Sequence, residues 1–426
     1  MVGSSVYWVA VMLLLKHLTG SGTVMGLVEM LALLPAFLVG PLAGAVVDTL
    51  DRKRIIVGAD LVSGLAMIVL AVPGLVRECQ LEPISLFGNT LDLSKTRIEV
   101  WMIIGVTVCV SLAYALFRPA VDAIVPDLVP AHRLKRVNAL FQSNFYITYL
   151  IGTSVAGLLY GLVGAAVLIL VNGISYLLSA GLESLIEVPA RTRDSPPGTP
   201  REWYVRTREG VAYLWRHRGL RGMILAFMGT NALFPPVVLS LPFFVEDDLG
   251  LAPAWFGHIL AAYLAGGILG FLGFGLLKLS GTRNAQVFLG AFHACALLMG
   301  ILSVSSSIPL VLGLFALVSV NVAIINLLAQ TIVQTVVPSS MRGRVFGTMN
   351  ALTTGLMPIS YAVSGVLFDT IGQNARRMFL GVALLCFCAA LALTSSRAVR
   401  TLVTRATEGK SNAEEVEDVV TGGGCR

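Results

Sequence analysis

Apolar stretches of about twenty residues recur along the chain, separated by short polar runs. No Asp, Glu, Lys or Arg occurs in 137–182, 222–245, 249–277, 284–341 or 345–368. A helix needs about 20 apolar residues to cross a bilayer, so the two longest of these runs each hold two crossings. The pattern predicts spans at 4–15, 22–47, 55–76, 99–120, 137–160, 164–186, 222–245, 254–278, 285–304, 308–335, 345–368 and 377–396. The expected fold is all-α: a polytopic membrane protein of twelve transmembrane helices in two six-helix bundles. The first span is short, with about a dozen apolar residues before Lys16 and no basic segment ahead of them. It reads as neither a full span nor a signal peptide, and the first helix is expected to be truncated at its N-terminus.

An internal repeat supports the two bundles. A shift of 208 residues aligns Ile124, Val125, Val129, Pro130, Arg136, Val137, Val155, Gly157, Leu159 and Gly164 with Ile332, Val333, Val337, Pro338, Arg344, Val345, Val363, Gly365, Leu367 and Gly372. Earlier in the chain the shift is 231, pairing Gly26 with Gly257 and Gly44 with Gly275. The difference of 23 places extra residues in the polar outer loop between Arg77 and Arg97. The 231 shift also puts the expected start of the first span about nine residues before Met1. The reading divides the chain into an N-terminal bundle (1–186), a cytoplasmic linker with a surface helix (187–221), a C-terminal bundle (222–396) and a disordered cytoplasmic tail (397–426). In the linker, Trp203, Tyr204, Val211, Leu214 and Trp215 form the apolar positions of a basic helix expected to lie on the membrane.

Composition agrees with this reading: 56% of residues are hydrophobic and 13% charged. The net charge of +6 does not point to nucleic acid, because 23 of the 30 basic residues fall in segments that lie on one side of the membrane if both termini are cytoplasmic. That bias fixes the orientation. The six cysteines are scattered, with no disulfide framework or metal-ligand spacing. No phosphate-binding loop and no His-Glu-x-x-His occurs, so neither an ATP pump nor an intramembrane hydrolase is expected, and no metal or cofactor is implied.

The chemistry-bearing motifs start between spans 2 and 3, with Gly44-Ala-Val-Val-Asp48-Thr49-Leu50-Asp51-Arg52-Lys53-Arg54. Glycine permits close helix approach, a carboxylate caps a helix N-terminus, and the basic triplet faces anionic lipid. This segment resembles the loop 2–3 signature of the major facilitator superfamily, with Thr49 where the signature has a base. Leu18-Thr-Gly-Ser, Phe117-Arg-Pro-Ala120, Val125-Pro-Asp-Leu-Val-Pro130 and Arg342-Gly-Arg-Val345 resemble its enterobactin-exporter and macrolide-efflux branch. Gly152-Thr-Ser-Val-Ala-Gly157 is similar to an exporter motif, with Thr153 in place of proline. The resemblance implies conformational gating by Gly44, Asp48, Asp51, Arg52, Arg118, Asp122, Arg342 and Arg344.

Ionisable residues inside spans are costly and are candidates for function. Glu29, Asp60 and Asp122 are the candidate proton-coupling carboxylates. For Glu29 the competing reading is a solvated helix end, and for Arg118 and Asp122, spaced i, i+4, a structural salt bridge. Asn138, Gln142, Phe145 and Tyr149 form one stripe on span 5, and Asn326 and Gln330 form its counterpart on span 10. These stripes either line a cavity or join helices by hydrogen bonds.

The expected function is a secondary transporter, a proton-coupled exporter of an amphipathic drug, macrolide or siderophore, and not an enzyme. The alternatives are uptake or lipid translocation on the same fold, or a non-transporting sensor. The expected partners are a small-molecule substrate, the proton gradient and membrane lipid, for a monomer in the cell's inner membrane. Asp48→Asn is expected to abolish transport in vesicles while leaving membrane insertion intact; transport at the parent rate would remove Asp48 from gating.

Overall fold

The computed structural model describes residues 2–75, 84–86, 89–91, 95–129, 131–186, 208–209, 211–277, 281–337 and 342–407. Eleven helical stretches among these residues are long and apolar enough to cross a membrane. One of them, 147–184, belongs to α5 (Ala131–Ser184), which turns sharply at Gly164 (φ 76°, ψ 169°) and holds two crossings. A left-handed backbone at this corner needs glycine. The stretches therefore supply twelve crossings. Large apolar side chains on them face outward, among them Leu182, Leu269, Leu276 and Val304, as a lipid-facing surface requires.

The crossings begin with α1 (Val2–Thr19), α2 (Gly22–Thr49) and α3 (Arg52–Leu75), followed by α4 (Lys95–Leu128) and α5. The α3–α4 loop carries strands β1 (Ile84–Leu86) and β2 (Asn89–Leu91), an antiparallel pair in which Ile84 faces Leu91. The expected first span is longer than its apolar run suggests. At 18 residues, α1 continues past Lys16, because that charge is met by partners described below.

The expected seventh span is broken into α6 (Arg218–Ala232) and α7 (Phe234–Phe243), with a π-turn at Phe244–Asp248. Pro236 has no N–H to offer the Ala232 carbonyl one turn back. The Ser360 hydroxyl donates to that carbonyl instead. Then come α8 (Ala254–Leu276), α9 (Gly281–Val304), α10 (Ile308–Val336), α11 (Arg342–Thr370), α12 (Ala375–Ser395) and α13 (Arg397–Thr407).

The chain forms two compact units, and they differ from the expected bundles. Unit 1 comprises Met1–Gly198, Val245–His258 and Tyr361–Thr370; unit 2 comprises Thr199–Phe244, Ile259–Ser360 and Ile371–Arg426. The segments exchanged into unit 1 are the predicted outer ends of spans 7, 8 and 11.

Within unit 1, α3 and the second arm of α5 cross at Gly64 and Gly173, each lying against the other's backbone. In unit 2, α13 corrects the expectation of a disordered tail over its first residues. Val399, Leu402 and Val403 are buried in one core with Leu220, Phe288 and Ile332, and Gly219 lets the α13 backbone come close. Residues 408–426 lie outside the described residues. Leu214 joins the same core, so that part of the expected surface helix packs inward while Trp215 stays exposed; Trp203 and Tyr204 lie outside the described residues.

Two helix crossings in unit 1 are equivalents within the repeat. At one, Gly26 of α2 meets the Tyr361 carbonyl and Gly365 of α11; at the other, Gly257 of α8 meets the Thr153 carbonyl and Gly157 of α5. A side chain at either Gly26 or Gly257 would collide with the facing carbonyl oxygen. Overpacking of this kind costs about 1–3 kcal/mol. In a background without native cysteines, Gly26→Val is expected to make a cysteine at Ser21 react faster with a membrane-impermeant maleimide. An unchanged rate would show that this crossing does not hold these helix ends together.

Candidate functional site

The helix ends of unit 1 where α1 stops and α2 starts are held by charge as well as by glycine. Lys16, near the end of α1, has a side chain only 7% exposed. Its ammonium lies 3.1 Å from Glu246 Oε2 and 2.9 Å from Asp247 Oδ1. His17 approaches the same Glu246 oxygen at 3.0 Å through Nε2, and its Nδ1 lies 2.8 Å from the Tyr160 hydroxyl. Under the 231-residue shift Lys16 and Asp247 are equivalent positions of opposite charge, and they pair with each other. An ammonium at this depth is costly unless it is paired.

A second latch lies between α11 and the start of α2. One Asp369 carboxylate oxygen accepts from the Gly22 N–H at 2.8 Å; the other accepts from the Thr23 N–H at 2.9 Å, the Ser21 hydroxyl at 2.9 Å and the Thr23 hydroxyl at 2.6 Å. The first N–H groups of a helix have no intrahelical acceptors and carry the positive end of its dipole. Asp369 satisfies both demands of α2 from another helix.

Below this closure lies Glu29. Its residue is 6% exposed, which overturns the solvated-helix-end reading. The Trp8 indole N–H donates to Glu29 Oε1 at 2.9 Å. The Trp8 ring packs between Tyr149, with centroids 6.3 Å apart, and Phe256 at 6.2 Å. Phe256 belongs to the segment of α8 that unit 1 takes in, and it is fully buried. Glu29 is thus joined through one indole both to Phe256 and to Tyr149.

Tyr149 also lines a cavity of about 440 Å³ in unit 1, with Asp60, Tyr114 and Tyr176 among its walls. Unit 2 has a separate cavity of about 280 Å³, lined by Phe227, Phe234, Tyr263, Met299 and Asn326 among others, with no charged side chain among the described lining residues. A few aromatic and amide side chains in an otherwise apolar pocket suit an amphipathic small molecule.

The expected stripes therefore contribute one residue to each cavity, Tyr149 and Asn326. Gln330 is exposed and lines neither cavity, because it sits one helical turn beyond Asn326. Asp60 is buried at 5% exposure and faces the unit 1 cavity. Asp51 is exposed and caps α3, accepting the Lys53 N–H at 2.9 Å; Arg52 is half-buried. Arg118 is half-buried on α4, and Gly44 lies within α2. The side chains of Asp48, Asp122, Asn138, Gln142, Phe145, Arg342 and Arg344 lie outside the described residues. Sequence reasoning missed Lys16, Glu246, Asp247, Asp369 and Trp8. The 231-residue shift, which places Lys16 on Asp247, could have pointed to that pair; no pattern in the sequence marks Asp369 or Trp8.

Twelve apolar crossings in a repeated chain, with latches that join the two halves at one end, define a multi-pass membrane transporter. The chain belongs to the Major Facilitator Superfamily, which matches residues 1–361. The macrolide efflux protein A of Streptococcus pyogenes is 26% identical over 403 residues, 91% of each chain. The multidrug efflux pump Tap of Mycolicibacterium fortuitum is 24% identical over 381 residues, 88% of this chain and 87% of that protein. Among solved structures, the nucleoside transporter NupG matches with a TM-score of 0.67 and 13% identity, covering 93% of this chain and 97% of its own. A bacterial homologue of the iron transporter ferroportin in an inward-facing state matches at 0.64 with 16% identity, covering 91% of this chain and 95% of its own. These two structures support the fold and nothing narrower.

Removing one partner of a buried ion pair costs about 3–5 kcal/mol, whereas an exposed pair is worth about 1 kcal/mol or less. Lys16→Met is therefore expected to lower the melting temperature in detergent clearly more than Asp247→Asn, since the Asp247 side chain is 59% exposed. Equal effects would contradict the buried-pair account.

Proposed function

We propose that this chain exports an amphipathic small molecule against a proton gradient, as a monomer in the cell's inner membrane with both termini cytoplasmic. The observation that carries the reading is the single indole of Trp8, bonded to Glu29 and packed on both Tyr149 and Phe256. The export direction is supported by the relatives named for macrolide and multidrug efflux. The segregated basic residues support the orientation.

In the proposed cycle the outer latches hold the outside closed while substrate enters from the cytoplasm. A hydrogen bond to an ionised carboxylate is about twice as strong as one between neutral groups. Protonation of Glu29 therefore weakens its hold on Trp8. That loosens the indole from Phe256 and the α8 end that closes the outside. Opening separates Lys16 from Glu246 and Asp247 and withdraws Asp369 from α2. Substrate against Tyr149 bears on the same indole, so binding and proton occupancy act on one element. Two-state switching of this kind needs only that each ligand prefer one state.

Glu29→Gln keeps the shape and the acceptor but not the charge. In proteoliposomes it is expected to bind a macrolide as the parent does while its transport no longer responds to an imposed pH gradient. Transport that still follows the gradient would take the proton away from Glu29. Higher macrolide accumulation in cells expressing the parent than in cells without it would overturn the export direction.

A further inference from the structure

The unit 1 cavity carries chemistry that the proton site does not use. Of the described residues lining it, Asp60 is the single acidic side chain and none is Lys, Arg or His. Asp60 is 95% buried by exposure, and no ion pair joins it to a basic side chain among the described residues. Ser179 interacts with Asp60, and its hydroxyl also donates to Glu183 Oε1 at 3.3 Å. The other Glu183 oxygen is buried with no hydrogen-bond partner among the described residues, and the charges of Glu183 and Asp60 act on each other. Two neighbouring carboxylates thus share one hydroxyl, and among the described residues no ion pair joins either to a basic side chain. Burying such groups is costly unless a cation meets them.

The rest of the wall fits an organic cation better than a metal ion. Tyr114, Tyr149 and Tyr176 offer ring faces, and Ser63 and Thr148 offer hydroxyl oxygens. An ammonium is attracted to aromatic faces and donates to hydroxyl and carboxylate oxygens. Sodium or calcium would require several oxygens converging at short range, and a cavity of about 440 Å³ with one lining carboxylate does not supply that. The volume instead falls in the usual range for small-molecule sites.

We infer that this cavity is a binding site for a protonated amine, with Asp60 as its counter-charge and the tyrosines as its walls. This deepens the exporter reading by giving its substrate a single positive charge, and it rests on that reading for the transport of what binds. Alkyl amines are protonated at neutral pH, so the charge is present in the cytoplasm.

The test is fluorescence titration of the purified full-length protein in nanodiscs at neutral pH. The probes are dansylcadaverine, a primary amine, and its N-acetyl derivative, which has the same dansyl group and no charge. The parent is expected to bind the amine more tightly than the acetylated probe. Asp60→Asn is expected to weaken the amine about tenfold or more while leaving the acetylated probe unchanged, as expected for losing a charge-assisted contact. Asp60→Glu, which keeps the charge, is expected to restore the preference for the amine and also shows that the site is folded.

Equal affinity of the parent for both probes, or equal losses for both in Asp60→Asn, would overturn the inference. Displacement of the amine by Na⁺ but not by K⁺ at equal ionic strength would assign the site to a metal ion and likewise overturn it. Amine binding with the predicted Asp60 dependence, in a protein whose transport ignores pH, would uphold the cation site while the proton-coupled reading fell.

Discussion

The structure depends on where the charge of Lys16 is placed. An ammonium near the end of a crossing helix, 7% exposed, must find anions, and it finds Glu246 and Asp247 beyond the broken seventh span. That pairing carries α1 past the end of its apolar run and draws residues 245–258 into the same compact unit as the N-terminal helices. Asp369 does the same for residues 361–370 by capping α2. The glycines at 26, 157, 257 and 365 let the backbones approach closely enough for these charges to meet. Polar attraction and small side chains are the two forces available between helices where lipid removes the hydrophobic drive.

The closure is linked to the interior through aromatic packing. Phe256 lies on the closing segment, Trp8 packs on Phe256, and Trp8 donates to Glu29. Tyr149 continues the contact to the wall of the unit 1 cavity. In the proposed cycle a proton at Glu29 and a solute against Tyr149 would act on one indole, with no long chain of intermediates. The two cavities differ in chemistry: among the described lining residues, the one in unit 2 has no charged side chain, while the one in unit 1 has Asp60.

Much of this architecture was legible in the sequence. Charge-free runs mark the spans because lipid excludes ions, and the 208 and 231 shifts recover the repeat because equivalent crossings need the same glycines and prolines. The break in span 7 was less visible, although Pro235 and Pro236 stood in plain view, since a hydropathy pattern does not register a missing N–H. The tail was read as disordered from its acidic end, yet 397–407 pack an apolar face on unit 2. The site was only partly legible. Glu29 and Asp60 stood out as charges in apolar spans, but periodicity does not show that an indole seven residues into α1 reaches a carboxylate in α2. Of the polar stripes, Tyr149 lines the unit 1 cavity and Asn326 the unit 2 cavity, while Gln330 shares their spacing and lines neither.

The central claim is that the latched arrangement of Lys16 with Glu246 and Asp247 is one of two states that the protein visits. The most direct measurement is the distance between spin labels at Leu18 and Ala252, on either side of the Lys16 latch, by pulsed electron resonance in nanodiscs. The account predicts one short distance at high pH and a second, longer population that grows as the pH falls or when Glu29 is replaced by Gln. A single distance under all these conditions would contradict it.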